Sequence, residues 1–261
     1  YDFYRPYVEK ARDIDDVATI INEMIGDVNA SHTGFYPRAE GERNVKPAAF
    51  LGLDLDYSSI NSDGVKVARV YPNTRLSSFY KLKAGDIINS IDGVQVNSRT
   101  PIDSLLAGKA GKQIRLQATI SGDVKDLTIR ALSGRENYDL WYAFKTNRSR
   151  ELVEQLSNGR LGYVHIPAMG NENYNTFVRD VFRDNHDKEA LVIDVRGNVG
   201  GRIHDMLITL LSKQTYAYST SRRYSREKRP EPLRTIDKPT IVLVDERSFS
   251  DGEIFPIVYQ E

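Results

Sequence analysis

The sequence contains no cysteine in 261 residues, which excludes a disulfide framework, a thiolate nucleophile and a thiolate metal site. It leaves the compartment open. Histidine is scarce, at four residues, and no His-x-x-x-His pair occurs, so no metal site is expected. No apolar run approaches the ~20 residues that span a bilayer, and the start, Tyr1-Asp-Phe-Tyr-Arg-Pro, has neither a methionine nor a signal-like core. The chain is therefore expected to begin partway through a longer protein. There is also no excess of either charge: Lys plus Arg and Asp plus Glu are both 36, so nothing draws the molecule to nucleic acid or to an anionic membrane. What is present, 40% hydrophobic and 28% charged residues, can bury a full core in more than one unit.

Apolar residues at Val8, Ala11, Ile14, Val17, Ile20, Ile21, Met24, Ile25 and Val28 recur at spacings of three and four, which predicts a helix or helix pair over residues 8–30. Asn29-Ala-Ser31-His32-Thr-Gly34 breaks it, placing Ser31 and His32 at a helix end, where such residues commonly cap. Residues 36–45 read as a polar linker.

Residues 46–133 change to short alternating strands: Phe50 to Leu55, Val65 to Val70, Asp86 to Ile91, Val94 to Val96, Gln113 to Ile120 and Asp126 to Ile129. Phe50-Leu51-Gly52-Leu53 has the composition of a tight loop whose free amides hold a carboxylate. Lys81-Leu-Lys-Ala-Gly85-Asp86-Ile follows later, then a strand and an Asp92-Gly93 hairpin. These two motifs, in this order, resemble a PDZ domain of the bacterial and archaeal protease type. The resemblance implies peptide binding at Leu51, Gly52 and Leu53; a ligand-free spacer with the same fold is the alternative.

From Tyr138 strands alternate with helices, as in an α/β layer with parallel pairing: a strand at Tyr138 to Lys145, a helix at Asn147 to Ser157, a strand at Arg160 to Ile166, a helix at Asn173 to Arg183 and a buried strand at Glu189 to Val195. Arg196-Gly-Asn-Val-Gly200-Gly201 comes next, then a helix through Leu211. The stretch from Lys213 to Lys238 is polar and carries Arg222, Arg223, Arg226, Lys228, Arg229 and Arg234, a solvated loop or a basic wall for an anionic ligand end. Thr240-Ile-Val-Leu-Val-Asp245 reads as another buried strand, with Ser248-Phe-Ser250-Asp-Gly-Glu253 behind it. A serine at such a turn lifts its hydroxyl off the sheet, which makes Ser250 a candidate nucleophile. The same letters also fit a helix N-cap with first-turn carboxylates.

Taken together, the strand ending in Asp194-Val-Arg196-x-Asn198-x-Gly200-Gly201, the strand ending in Ser248-Phe-Ser250-Asp-Gly-Glu253, and the Ser31-His32 pair with a PDZ-like insert between resemble the catalytic core of the tricorn proteases and, more distantly, the C-terminal processing (tail-specific) serine proteases. The resemblance covers essentially the whole chain. It implies an α+β multidomain fold: a helical N-terminal subdomain over 1–45 that carries the base, a PDZ-like β module over 46–133, and a crotonase-like α/β catalytic subdomain over 134–261, truncated at its C-terminus. It implies Ser250 as nucleophile, His32 as general base, Ser31 as the serine orienting that ring, and an oxyanion hole from the amide of Asp251 with that of Gly200 or Gly201. The carboxylate of Asp251 then caps a helix. The substrate implied is a peptide or unfolded polypeptide, with no cofactor and no metal. A cytoplasmic setting follows from tricorn, an extracytoplasmic one if a leader was removed, and the family tendency is toward homo-oligomers.

One departure stands out. The tricorn relay ends in a glutamate well downstream of the nucleophile, whereas Glu261 is only eleven residues past Ser250, and the lysine base of the tail-specific branch has no room. Glu253 matches a helix position rather than that glutamate. The chain is expected to be a fragment of a longer enzyme or to lack full activity, which keeps a peptide-binding adaptor or inactive homologue as the alternative. A crotonase-type acyl-CoA enzyme shares only the fold. Of the other histidines, His165 is expected to be structural and His186 solvated, while His204, at a helix start after the glycine pair, is a weaker candidate that is not assigned to the site.

Overall fold

Runs of alternating and continuous apolar residues build two main sheets of different kind among the described residues. The computed structural model describes residues 1–30, 32–37, 46–220 and 228–261. These fall into two compact units, Tyr1–Arg38 with Ser149–Glu261, and Ala39–Arg148.

The inserted unit is built on an antiparallel sheet of six strands: β1 (Leu53–Asn61), β2 (Gly64–Val70), β3 (Ile87–Ile91), β4 (Val94–Gln95), β5 (Gln113–Ile120) and β6 (Asp123–Arg130). Its order is β1-β2-β3-β5-β6, with β4 paired to β3. Alternation in β5 puts Ile114, Leu116, Ala118 and Ile120 inside, against Val65, Val67, Ile88 and Leu127. The Asp92-Gly93 turn joining β3 to β4 has positive φ at both residues, 48° and 82°, as a tight hairpin demands. Asp86 ahead of β3 is buried, and its carboxylate accepts from the amides of Lys83 and Ser121. The Leu-Lys-x-Gly-Asp motif thus closes the sheet from within. Short helices α3 (Arg75–Ser78) and α4 (Ile102–Leu106) contribute Leu76, Ile102 and Leu106 to this core.

The strand expected over residues 138–145 does not form: residues from Gly134 to Leu156 are one helix, α5. Tyr138, Trp141, Tyr142 and Phe144 favour strands in isolation, but spacings of three and four win here. Tyr138 lies against Trp141 and Tyr142, and Lys145 sits over the Trp141 ring. A start signal was present in the letters. Ser133 and Glu136 form a reciprocal cap, the Ser133 amide and hydroxyl donating to Glu136 Oε2 at 2.8 and 2.9 Å.

The other unit opens with α1 (Arg5–Val8) and α2 (Ile14–Gly26), the latter capped by Asp13, whose carboxylate accepts from the amides of Asp15 and Asp16. Its centre is a parallel sheet in the order β7 (Leu161–His165), β8 (Ala190–Asp194) and β11 (Thr240–Leu243), with β8 in the middle. A middle strand is covered on both faces, which is why Leu191-Val-Ile-Asp-Val195 is buried without interruption. Helix α6 (Asn171–Arg179), ending in a wider π-type turn at Asp180–Asp184, links β7 to β8. Helix α7 (His204–Leu211) and a hairpin of β9 (Ala217–Ser219) and β10 (Arg229–Glu231) link β8 to β11. That hairpin replaces part of the polar loop expected over 213–238; Arg222, Arg223 and Arg226 lie outside the described residues. Helix α8 (Asp251–Gln260) closes the described chain, with Phe255 fully buried.

Parallel strands end at one edge, so the segments after β7, β8 and β11 meet there. Asp194, at the end of β8, has no solvent exposure and is held by the Tyr163 hydroxyl at 2.6 Å and by the Arg196 guanidinium at 2.6 and 2.9 Å. Burial by itself would raise its pKa. The Arg196 and Tyr163 hydrogen bonds outweigh that and hold it below the usual carboxylate range. A carboxyl depressed in the folded state contributes stability above its unfolded value, and loses it as pH falls through the folded one. The stability gap between wild type and Asp194→Asn is therefore expected to be full at neutral pH and to narrow below about pH 4. Melting temperatures of the two proteins across that range check this.

Candidate active site

The loop between β11 and α8 places Ser250 where an L-residue rarely rests, at φ 55° and ψ −121°. Such backbone costs on the order of 1–3 kcal/mol and persists only where neighbours enforce it. Three contacts do so. The Ser250 amide donates to Glu253 Oε2 at 2.8 Å, the Phe249 amide to the Asn198 carbonyl at 2.8 Å, and the buried Ser248 hydroxyl to the Val195 carbonyl at 2.9 Å. Glu253 is thus a cap on the Ser250 turn, a role its spacing of three already suggested.

Ser250 Oγ lies 3.0 Å from His32 Nε2, across 218 residues of sequence. His32 follows α2 in a segment that folds back on that helix, its own φ being 62°. Asn22 holds the returning strand by a reciprocal pair, its Nδ2 donating to the Phe35 carbonyl at 3.0 Å and its Oδ1 accepting from the Phe35 amide at 2.6 Å. The imidazole also meets the Phe249 ring edge-on, at 5.1 Å between centroids. Ser31 lies outside the described residues. No carboxylate among the described residues pairs with His32.

The glycine pair comes from the loop after β8. A Cβ on Gly200 would stand 2.8 Å from the Phe249 carbonyl oxygen and from Ser250 Cβ, and 3.3 Å from Ser250 Oγ; one on Gly201 would overlap the Met169 backbone. Both positions also have positive φ, 83° and 148°. Only glycine lets this backbone approach the serine. The Gly200 amide donates to Asn198 Oδ1 at 2.8 Å, whereas the amides of Gly201 and Asp251 have no acceptor among the described residues.

Asn198 is the residue whose role the sequence reading passed over. It is fully buried; its Nδ2 donates to the Ile166 carbonyl after β7 at 2.7 Å, its Oδ1 takes the Gly200 amide, and its carbonyl takes the Phe249 amide. One side chain and its peptide thus tie together the loops after all three parallel strands. Gly252 is small for the same reason, since a Cβ there would sit 2.8 Å from Asn198 Oδ1. Asp245 adds a further brace by accepting from the Gly197 amide at 2.7 Å; the Arg247 guanidinium holds its carboxyl below the usual range.

The carboxylate of Asp251 is buried and caps a helix, though not its own: Oδ2 accepts from the amides of Ile203 and His204 at the start of α7, at 2.8 and 3.2 Å, and Oδ1 meets His204 Nδ1. His204 therefore touches Asp251 rather than Ser250. His165 is half-buried, with Nε2 3.4 Å from the Arg196 carbonyl, and His186 is exposed at the end of the π-type turn. No cluster of three or more His, Asp or Glu suited to a metal ion occurs among the described residues.

In the inserted unit, Leu51 is buried, Gly52 has φ 76° with its carbonyl bonded to the Tyr71 amide, and Leu53 opens β1 opposite Val70. Phe50 is paired to Leu132, so the expected strand begins three residues later than its letters suggested. This loop and the unpaired edge of β1 line a groove of about 250 Å³ together with Ile102 and Leu106 of α4. Leu51 also lines a larger cavity of about 590 Å³ with Leu76, Ile129 and Leu140. Neither contains Ser250 or His32.

With this geometry in hand, comparison with known families gives two matches: peptidase family S41 over residues 160–261, and the tricorn protease PDZ domain over residues 51–134. Residues 160–261 thus resemble an S41 peptidase domain and residues 51–134 a tricorn-type PDZ domain. The S41 match covers β7, β8, β11 and the Ser250 turn; the PDZ match covers the six-stranded sheet. Among relatives, the chain is 29% identical over 94% of its length to a tricorn protease homolog of Saccharolobus solfataricus, covering 23% of that protein. It is 29% identical over 97% of its length to tricorn protease homolog 1 of Streptomyces coelicolor, covering 24% of it. It is 28% identical over its full length to the tricorn protease of Thermoplasma acidophilum, again covering 24%. A crystal structure of the tricorn protease superposes with a TM-score of 0.69 at 27% identity, over all of this chain and 26% of that one. The chain thus spans about a quarter of the length of these proteins.

If Asn198 ties the loops after the three parallel strands together, Asn198→Ala leaves the Ile166 carbonyl and the Gly200 amide without partners. Each unmet buried group costs about 1–3 kcal/mol. Chemical denaturation is expected to show a loss of that order for each group, several times that of an exposed Asn→Ala control such as Asn175→Ala.

Proposed function

We propose that this chain carries the nucleophile, base and oxyanion donors of a serine peptidase that hydrolyses peptides or unfolded polypeptides through an acyl-enzyme. The observation that carries the reading is the 3.0 Å approach of His32 Nε2 to Ser250 Oγ at a strained strand-to-helix turn. In this reading Ser250 Oγ attacks the peptide carbonyl while His32 takes its proton. The tetrahedral oxyanion accepts from the Asp251 amide and from the glycine pair. Because the Gly200 amide is already bonded to Asn198, the Gly201 amide is the better donor of the two. The imidazole then protonates the leaving amine, and water resolves the acyl-enzyme by the same route in reverse. Ser31 orients the ring. The mechanism requires no metal or cofactor.

The proposal extends to the architecture: a helical segment bearing the base, a PDZ module, and a crotonase-like layer bearing the serine. Oligomeric assembly and a cytoplasmic setting are part of the same proposal, by analogy with tricorn. No described helix is long and apolar enough to cross a membrane.

The groove beside Leu51, Gly52 and Leu53 favours a second reading, a peptide-binding adaptor in which the S41 part is a scaffold. An edge strand beside the Leu51-Gly52-Leu53 loop suits an extended peptide ending in a carboxylate. The readings part on turnover. A fluorophosphonate probe is expected to label Ser250 in the complete polypeptide, Ser250→Ala to abolish hydrolysis of an unfolded substrate, and His32→Ala to lower it on the order of 10⁴- to 10⁶-fold without loss of folding. Binding of a carboxyl-terminal peptide with no labelling and no cleavage would establish the adaptor instead.

A further inference from the structure

Two turns must keep their spacing if the amides of Asp251 and Gly201 are to converge on one oxygen. The first is the nucleophile turn, the second the loop that runs from Gly200 and Gly201 into α7. Besides Asn198, the Asp251 carboxylate spans them. The Asp251 carboxylate, 2% exposed, reaches from the first turn of α8 to the start of α7, where it takes the amides of Ile203 and His204 and the Nδ1 of the His204 ring. Ile203 is two residues past Gly201, and Asp251 is one past Ser250.

We propose that His204 is a positioning residue for the peptidase reaction, acting through the Asp251 carboxylate to hold the Asp251 amide and the Gly201 loop at the spacing the oxyanion requires. The inference rests on the proposed Ser250 chemistry and adds a part of the molecule that touches neither substrate nor nucleophile. A carboxylate in a dry site keeps its place only while its lone pairs are met. Two of its donors are backbone amides of α7 and follow that helix. The third is the imidazole, itself attached to the first residue of α7, so it fixes the direction in which Asp251 Oδ1 points. Without it, Oδ1 turns toward water and the first turn of α8 follows, since the same residue carries the donor amide. Shifts of about 1 Å in catalytic groups can cost about 100-fold in rate. Asp205 stands beside the ring's other nitrogen, at 3.3 Å from Nε2, but is almost wholly solvated and supplies no comparable constraint.

The test compares His204→Leu, which keeps bulk but offers no donor, with His204→Asn, whose side-chain amide places a donor near the position of Nδ1. Labelling of Ser250 by a fluorophosphonate is measured first in the wild-type complete polypeptide, because absence of labelling there would overturn the peptidase reading itself. With labelling established, His204→Leu is expected to lower kcat about 10- to 100-fold per titrated serine. KM should stay within about threefold, since substrate binding is untouched. His204→Asn is expected to recover most of the loss. A His204→Leu protein with wild-type kcat per titrated site overturns the inference, as does one whose only deficit is a smaller titratable fraction and a lower melting temperature. If His204→Leu does not fold, the His204→Ala and His204→Asn proteins carry the test: a kcat per titrated serine that falls in His204→Ala and is recovered in His204→Asn upholds the proposal, and equal kcat in wild type and both variants overturns it.

Discussion

The arrangement depends on a backbone constraint at one residue: Ser250 is held in left-handed conformation at the point where β11 gives way to α8. That geometry brings the hydroxyl to His32 and leaves the following amide without an acceptor among the described residues. It is unfavourable in isolation and is kept by contacts from elsewhere, chiefly Glu253 from the next turn and Asn198 from the loop after β8. The strained backbone and the close approach to His32 are therefore one feature. Glycine at 200 and 252 follows from it, since each marks a place where backbone must come within contact distance of this turn or of Asn198, while Gly201 is required by the Met169 backbone.

The same edge of the parallel sheet gathers most of the buried polar groups in its unit. Asp194, Asn198, Ser248 and Asp251 are all buried, and each has its hydrogen-bonding capacity met by main chain from a neighbouring loop or by Tyr163, Arg196 and His204. Such a network is costly if half-made, so it specifies one arrangement of loops rather than several. The inserted unit follows another logic. Its polar anchors, Asp86 and the Asp92-Gly93 turn, close a small antiparallel sheet, and its groove lies along β1, the edge strand among the described residues.

Legibility from the letters tracked how local each cause is. The strands of the inserted unit and of the parallel layer were readable because alternation and short apolar runs report burial directly. Helix α5 was misread because four aromatic residues in seven suggest a strand, and only the Ser133-Glu136 cap, three residues apart, argued otherwise. The β9–β10 hairpin escaped because its strands are three residues long and carry no hydrophobic alternation. Asn198 and Asn22 were given no role because an asparagine in a loop or on a helix has no distinctive pattern; their partners, Ile166 and Phe35, are 32 and 13 residues away.

The sequence by itself determined the two kinds of sheet, the glycine-rich and serine-bearing junctions after β8 and β11, and the order in which these motifs follow one another, since all of these arise from neighbours along the chain. Only the tertiary structure decided that His32 reaches Ser250, that the Gly200 amide is taken by Asn198, and that Asp251 caps α7 rather than its own helix. Those contacts cross up to 218 residues. They depend on directions that strands, turns and helices acquire when packed, and no spacing of letters encodes a direction in space.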